Sequence, residues 1–398
     1  MNSTVVSYLS QSNEFHIVHA WLSKVLGYDA MSLMAFLIFA VVALIIVGVM
    51  ATIGGAGTYA ERKISADLQA RIGPNRVGPF GLLQFLADGV KMILKEDIIT
   101  TNADKFVFNL APVMCLVGVF ATLAVVPYSS GFILADLNVG IFYLVGMASL
   151  VGVGVFLGGY ASNSKWSLLG GMRGASQIIS YEIPATITII SIVLLAGGLS
   201  MKTLIGAQGG GMQDWFILHN PFAFIGFFVY FISALAETNR APFDLPEAES
   251  ELVSGYHTEY TGMKFGLFAL AEYIEVFVVC GVAVALFLGG YNVPFDLGTG
   301  AFFTKNLGLD SMLSQNIGQL LQLGAFFTKT LALYYVVIWV RWTLPRLRVD
   351  QLMTLCWKYL TPIAIFNLLG CAVWMYAFDG KSIFALIMAA TAGGGAHH

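Results

Sequence analysis

Between Ala236 and Glu251 the chain reads AETNRAPFDLPEAESE, which sets Glu237, Asp244, Glu247, Glu249 and Glu251 around a single base, Arg240. Glu259 follows closely. Ionisable groups crowded against an apolar run (Pro221 to Leu235) are costly at the edge of a bilayer, and they mark an ion or proton pathway or a ligand site. Six acids facing one base raise one another's pKa values by repulsion, so the group can take up and release protons near neutral pH, with Arg240 neutralising only one of them. Most charge runs are solvated loops, but solvation gives no reason for the interleaved Pro, Phe and Leu. Farther on, Glu272 and Glu275 lie three apart in an apolar run and share a helical face. Two acids on one face inside a membrane need water, a cation or protonation. Glu182 precedes Pro184 in another apolar run. A proline there frees a backbone carbonyl one turn earlier and invites a kink or water. The carboxyl beside it is either a proton relay or a group hydrogen-bonded across a bundle, and the relay is the favoured reading. His257 is a candidate proton carrier by residue type, although a lone loop histidine is more often solvated.

The fixed positive charges offer a second kind of chemistry. Arg62, Arg71 and Arg341 fall near the expected headgroup level, where they either pair with loop carboxylates at a polar ligand entrance or snorkel to lipid phosphates. Snorkelling is the favoured reading for Arg346 and Arg348. Arg71 opens the string RIGPNRVGP, whose prolines and glycines predict a rigid, non-helical turn through Pro79. No nucleophile triad, zinc spacing or phosphate loop is present. Gly54-Gly55-Ala56-Gly57 ends an apolar segment with no strand before it, so a nucleotide-binding reading fails.

These residues must be positioned by membrane helices. The 398-residue chain is 58% hydrophobic and 11% charged, with a mean hydropathy of +0.79, whereas soluble domains sit nearer about 45–50% apolar and about 25% charged. The fold class is all-α: a polytopic membrane helix bundle. Eight segments are long and apolar enough to span: Ser32–Ile53, Phe106–Val126, Val139–Tyr160, Gln177–Ala196, Pro221–Leu235, Met263–Leu288, Leu320–Val340 and Trp357–Phe378, the fifth being the shortest. Within the first loop, Phe80 to Glu96 predicts an amphipathic interfacial helix, with Leu82, Leu83, Leu86, Val90, Ile93 and Leu94 on one face. The chain then divides into an N-terminal extension (1–31), a membrane domain (32–378) with loops 54–105, 161–176, 236–262 and 341–356, and a tail (379–398). Lys and Arg concentrate in those four loops, which puts them in the cytoplasm and both termini on the outer side. A net charge of −3 excludes a basic field for nucleic acid. Cys115, Cys280, Cys356 and Cys371 lack metal or cluster spacing, so no metal, flavin or iron–sulfur centre is expected and any electrons arrive from a neighbouring protein. The first residues lack a basic stretch followed by an apolar core and read as a mature extension. No internal repeat is evident, which argues against a transporter built on inverted repeats.

Several strings resemble the H subunit of the proton-pumping NADH:quinone oxidoreductases, respiratory complex I, known in mitochondria as the first NADH dehydrogenase subunit. They are Glu61-Arg62-Lys63, Arg71 to Pro79, Ala87-Asp88-Gly89-Val90-Lys91, Ile179-Ser180-Tyr181-Glu182, Glu237 to Glu251, Arg341 to Arg346 and Asp350-Gln351-Leu352. The resemblance covers about Met50 to Trp357, and the Glu237 string is highly specific. It departs at the N-terminal extension, at an enlarged outer loop from Tyr291 to Gln319 and at the tail.

The resemblance implies a subunit that anchors the hydrophilic arm and forms much of the membrane-embedded quinone chamber. Glu61, Arg62, Arg71, Asp88 and Arg341 resemble chamber or entrance residues. Glu182, Glu237, Asp244, Glu247, Glu249, Glu251, Glu259 and Glu272 resemble a carboxylate path from the chamber toward the antiporter-like subunits. The implied substrate is a quinone, ubiquinone or menaquinone. The implied partners are iron–sulfur and quinone-site subunits of the hydrophilic arm, small membrane and antiporter-like subunits, and lipids. The implied location is the bacterial plasma (inner) membrane, or an organelle inner membrane. Two other functions fit the same composition: the equivalent subunit of a membrane-bound hydrogenase, and an autonomous cation transporter.

Overall fold

The computed structural model describes residues 30–209, 211–246, 249–294, 311–378 and 382–383. The N-terminal extension, all but the edges of loop 291–319 and most of the tail therefore lie outside the described residues, as do Glu247 and the side chain of Glu249. Residues 1–53 and 54–398 form separate compact units. In the first unit the described residues are helical.

The described residues are helical throughout, joined by turns and without a strand. The long helices are α1 (Ala30–Leu68), α2 (Gln84–Leu94), α3 (Lys105–Val125), α4 (Gly140–Ala161), α5 (Lys165–Ala196), α6 (Pro221–Glu237), α7 (Gly262–Phe287), α8 (Ser311–Thr343) and α9 (Val349–Phe378). Seven of them are long and apolar enough to cross a membrane, and α6 is the shorter apolar helix predicted as the fifth span. A polytopic membrane bundle is the architecture. The interfacial helix also forms, shorter than predicted. α2 buries none of its side chains, and Leu86, Val90, Ile93 and Leu94 are exposed along it.

Several helices outrun their apolar segments. α5 starts at Lys165, not Gln177, and at 1.5 Å per residue its 32 residues reach about 48 Å, beyond the ~30 Å hydrocarbon layer. The extension is held by close backbone contact with α4. A Cβ added at Gly159 would lie 2.6 Å from the Ser167 carbonyl oxygen and 2.8 Å from the Gly171 Cα, so these helices meet through glycines as membrane helices commonly do. α1 likewise runs through the Gly54–Gly57 stretch, which the sequence reads as its end. Cβ atoms there would meet Ile274, Phe85 and the Tyr334 hydroxyl, so the glycines admit neighbours within a continuing helix.

In the second unit α5 is central, packed on α4, α6 and α9, while α7 packs on α2, α3, α6 and α8. Between α1 and α2, residues 71–78 are non-helical as predicted, and a short 3-10 helix, Pro79–Gly81, follows. Gly81 there has φ of 80°, and a Cβ on it would fall 2.3 Å from the Pro74 carbonyl oxygen. Only glycine fits that approach.

Candidate functional site

The acidic stretch opens where α6 ends, and its first two charged residues enter the bundle. Arg240 is 4% exposed. Its Nη1 donates to Glu61 Oε2 at 2.9 Å, its Nε lies 3.2 Å from Glu272 Oε1, and its guanidinium stacks 4.3 Å over the Tyr273 ring. Arg341 closes on the second oxygen of Glu61. Two carboxylates and two guanidiniums thus form a cluster without net charge, buried at Glu61 and Arg240 and half-buried at Glu272 and Arg341. Desolvation would lower the pKa of Arg240, but the charge of Glu272, with Tyr273 and Tyr334 beside it, outweighs that and raises it, so it stays charged. Removing one partner from such a group costs about 3–5 kcal/mol, because the remaining charge stays buried. The pairing differs from the sequence reading, in which Arg240 neutralised an acid of its own loop.

At the end of α6, three residues before Arg240, and one turn beyond Glu272 on α7 lies the second feature. Glu237 on α6 and Glu275 on α7 join Glu182 on α5 around a cavity of about 50 Å³, with Thr122, Ser149 and Tyr230 among its polar edges and Val, Ala, Ile and Leu elsewhere. One water needs roughly 10–15 Å³ of such space, so the cavity has room for several. Glu272 and Glu275 do sit on adjacent turns, but they divide the work: Glu272 enters the cluster and Glu275 the cavity. Glu275 was not among the expected path residues, although its spacing from Glu272 was the signal that could have included it.

The local structure of α5 explains how Glu182 is held. Pro184 has no N–H to give the Ser180 carbonyl, and the Cys356 thiol takes that oxygen at 3.0 Å. Cys356 lies in a π-helical stretch, Leu355–Leu360, within α9. Tyr181 completes the link by donating to the Leu352 carbonyl at 2.9 Å. The freed carbonyl expected from the sequence is real, and its partner is a side chain from α9.

The remaining acids do not form one like-charged group. Asp244 pairs with Arg346 at 3.0 Å, and the Leu347 amide donates to the Pro242 carbonyl at 3.0 Å beside it. Arg346 is therefore engaged with the loop, contrary to the snorkelling reading. Glu251, half exposed, pairs with Arg173 at 2.7 Å. Glu259 is half-buried in the turn before α7. Glu249 begins a short helix, Glu249–Leu252. His257 is neither solvated nor poised to titrate near neutrality. It is packed edge-on against Tyr256 and Phe265, and burial pushes its pKa down to about 4.

At the rigid turn, Arg62 donates to Asp88 at 2.5 Å, with Gln84 at 3.0 Å and Lys91 at 3.5 Å on the other carboxylate oxygen. Burial would raise the Asp88 pKa, but these hydrogen bonds and positive charges outweigh it and hold the carboxyl below its ordinary range. Arg71 is exposed and bonds Gln69 at 2.6 Å. Arg62 and Asp88 thus meet beside the turn that Arg71 opens, whereas Glu61 and Arg341 belong to the cluster around Arg240.

Comparison with known proteins gives a consistent relationship. A family model described as NADH dehydrogenase matches residues 36–372. The chain is 48% identical over 335 residues to the H subunit of the NADH-quinone oxidoreductase of Anaeromyxobacter dehalogenans (strain 2CP-C), covering 84% of this chain and 81% of that protein. It is 48% identical over 321 residues to the protein of the same name in Chlorobaculum tepidum, covering 80% and 87%. NADH-quinone oxidoreductase subunit 8 of Rhodothermus marinus is 44% identical over 343 residues, covering 85% and 98%.

Proposed function

The chain belongs to the NADH dehydrogenase family as a membrane subunit of an NADH-quinone oxidoreductase, of the H-subunit type, and from that premise we propose that it forms part of the quinone chamber and couples quinone reduction to proton translocation. Glu61, Arg62, Arg71, Asp88 and Arg341 serve the chamber or its entrance. Glu182, Glu237, Asp244, Glu247, Glu249, Glu251, Glu259 and Glu272 serve the proton path, and Glu275 joins them on geometry. The observation that carries this reading is the adjacency of a charge-neutral cluster and a carboxyl-lined cavity, linked by Glu237 at the end of α6 with Arg240 three residues on, and by Glu272 and Glu275 one turn apart on α7.

Quinone reduction to quinol consumes two electrons and two protons, so it changes the charge beside whatever lines the chamber. Electrons come from neighbouring subunits. This chain contributes groups that respond to a field. In the cluster Arg240 is shared between Glu61 and Glu272, and Glu61 between Arg240 and Arg341, so a new negative charge nearby competes with these carboxylates for the two guanidiniums. Freed of its counter-charge, a buried carboxylate gains affinity for a proton. The cavity carboxyls are one turn away, and their titrations are coupled, so a proton gained at one site is lost at the next. The hydrophilic arm docks on the exposed loops, and the antiporter-like subunits receive the path's far end. By the positive-inside rule the charged loops face the cytoplasm and the termini the outer side.

Glu237→Gln and Glu275→Gln keep shape and hydrogen bonding while removing titration. In membrane vesicles each is expected to lower quinone-linked NADH oxidation and proton uptake together by about tenfold or more, the scale of a lost proton-transfer group. Reduction of a soluble acceptor at the flavin should remain, which reports assembly. Wild-type oxidation and pumping in both variants would overturn the coupling role.

A further inference from the structure

Gln177 is 1% exposed, on the part of α5 that the apolar pattern reaches last. Its Nε2 lies 2.8 Å from the Ala236 carbonyl, 2.7 Å from the Phe243 carbonyl and 3.2 Å from Asn239 Oδ1. Three oxygens from one segment converge on a single amide that has two hydrogens. Its own Oε1 is buried and accepts no hydrogen bond among the described residues. The side chain is therefore used as a donor alone. The segment it grips is the one that carries Glu237 into the cavity and Arg240 into the cluster, and its Asn239 sits at φ of 50°, a left-handed turn conformation that asparagine adopts more readily than most residues. One turn along α5 from Gln177 are Ser180 and Tyr181, tied to α9, and then Glu182 in the cavity.

We propose that Gln177 is a positioning residue: its amide fixes the register between the segment 236–243 and α5, and so sets Glu237 against Glu182 while Arg240 reaches Glu61 and Glu272. The inference rests on the coupling role proposed above. Neither charged site contains Gln177, and nothing in its own chemistry moves a proton. It acts by holding the two sites one turn apart in the geometry that lets them exchange charge.

The donor requirement makes the inference testable. Gln177→Leu fills similar space without donors. Gln177→Glu turns a carboxylate toward three oxygens when ionised, but a protonated carboxyl regains one donor. The titratable and charged groups at this level of α5 and on the elements packed against it are Arg173, Tyr181 and Glu182 on α5, Glu237, Arg240 and Asp244 on the α6 end and the following segment, Glu251, Tyr256 and His257 on the short helices beyond it, and Cys356 on α9. In membrane vesicles, with soluble-acceptor activity as the measure of assembled complex, quinone turnover by Gln177→Leu should fall about tenfold, as expected for misplacing groups by a fraction of an ångström to an ångström. The quinone KM should be unchanged. Gln177→Glu should match it at about pH 8 and recover toward wild type at about pH 6, where a carboxyl among oxygens is largely protonated. Wild-type turnover in Gln177→Leu, or a Gln177→Glu activity that follows Gln177→Leu at every pH, would overturn the inference. If Gln177→Leu does not accumulate, Asn239→Gly removes one acceptor while suiting the positive φ. A lowered turnover per complex then supports the inference and a wild-type turnover overturns it. Glu237→Gln in parallel separates the two readings. If it is impaired beside a wild-type Gln177→Leu, only the positioning role fails; if Glu237→Gln and Glu275→Gln are both wild type, the coupling role fails and the inference falls with it.

Discussion

His257, a half-buried side chain, is expected to make the fold sensitive to acid. Packed between Tyr256 and Phe265, it is held neutral, with a pKa near 4 against an ordinary 6.5. Between those values the unfolded chain binds a proton that the folded chain does not, so stability rises with pH across the window. The contribution is complete above about pH 6.5 and lost as pH falls toward about 4. Replacing His257 with Phe should remove this acid sensitivity, giving a thermal midpoint for the purified complex that changes less between about pH 7 and pH 5 than that of wild type. An identical pH dependence in the two proteins would assign the acid sensitivity elsewhere.

Among the helices, the junction of α7 with α8 shows a positive charge used as a cap. The last carbonyls of a helix have no partner within it. Lys329 of α8 donates to the carbonyls of Leu288, Gly290 and Asn292 at 2.8, 3.0 and 2.7 Å, while its ammonium lies 4.1 Å over the Trp215 ring. Helix termination, a cation at the negative end of the dipole and a cation–π contact are met by one side chain. Gln208 extends the junction by accepting from Phe216 and Gly289 and donating to Ala285. Lys329→Met should cost about 2 kcal/mol, the scale of leaving buried carbonyls without a donor. The check is a lower thermal midpoint of the assembled complex with its quinone KM unaltered. An unchanged midpoint would mean that the carbonyls find other partners.

For the molecule as a whole, family membership makes other NADH-quinone oxidoreductase subunits its partners. α2 exposes an apolar row beside charged residues, and the turn before it holds Arg71 and Arg76 at the surface. A chain of this kind works as part of a larger assembly. Purified alone in detergent, it is expected neither to oxidise NADH nor to reduce quinone, and affinity purification from membranes is expected to bring further subunits with it. Quinone reduction by the isolated chain, assayed with NADH and a short-chain quinone, would contradict that division of labour.

The apolar runs, the non-helical stretch 71–78, the freed Ser180 carbonyl and the shared spacing of Glu272 and Glu275 were legible in the sequence because each depends on residues within one or two helical turns. Helix extents were less so: Lys165–Ser176 lacks an apolar signature, and its helix is secured by glycine contact with α4. The partners of the charges were not legible at all. Arg240 reaches Glu61 across 179 positions, and Asp244 reaches Arg346 across 102. Composition can say that a buried charge needs a counter-charge, but which one it meets depends on how distant helices pack. The same holds for the cavity, where carboxyls from α5, α6 and α7 meet, and for Gln177, a neutral residue of no evident chemistry until a distant segment closes over it. Local pattern determined the helices and the stock of ionisable groups; packing between remote helices decided which groups face one another.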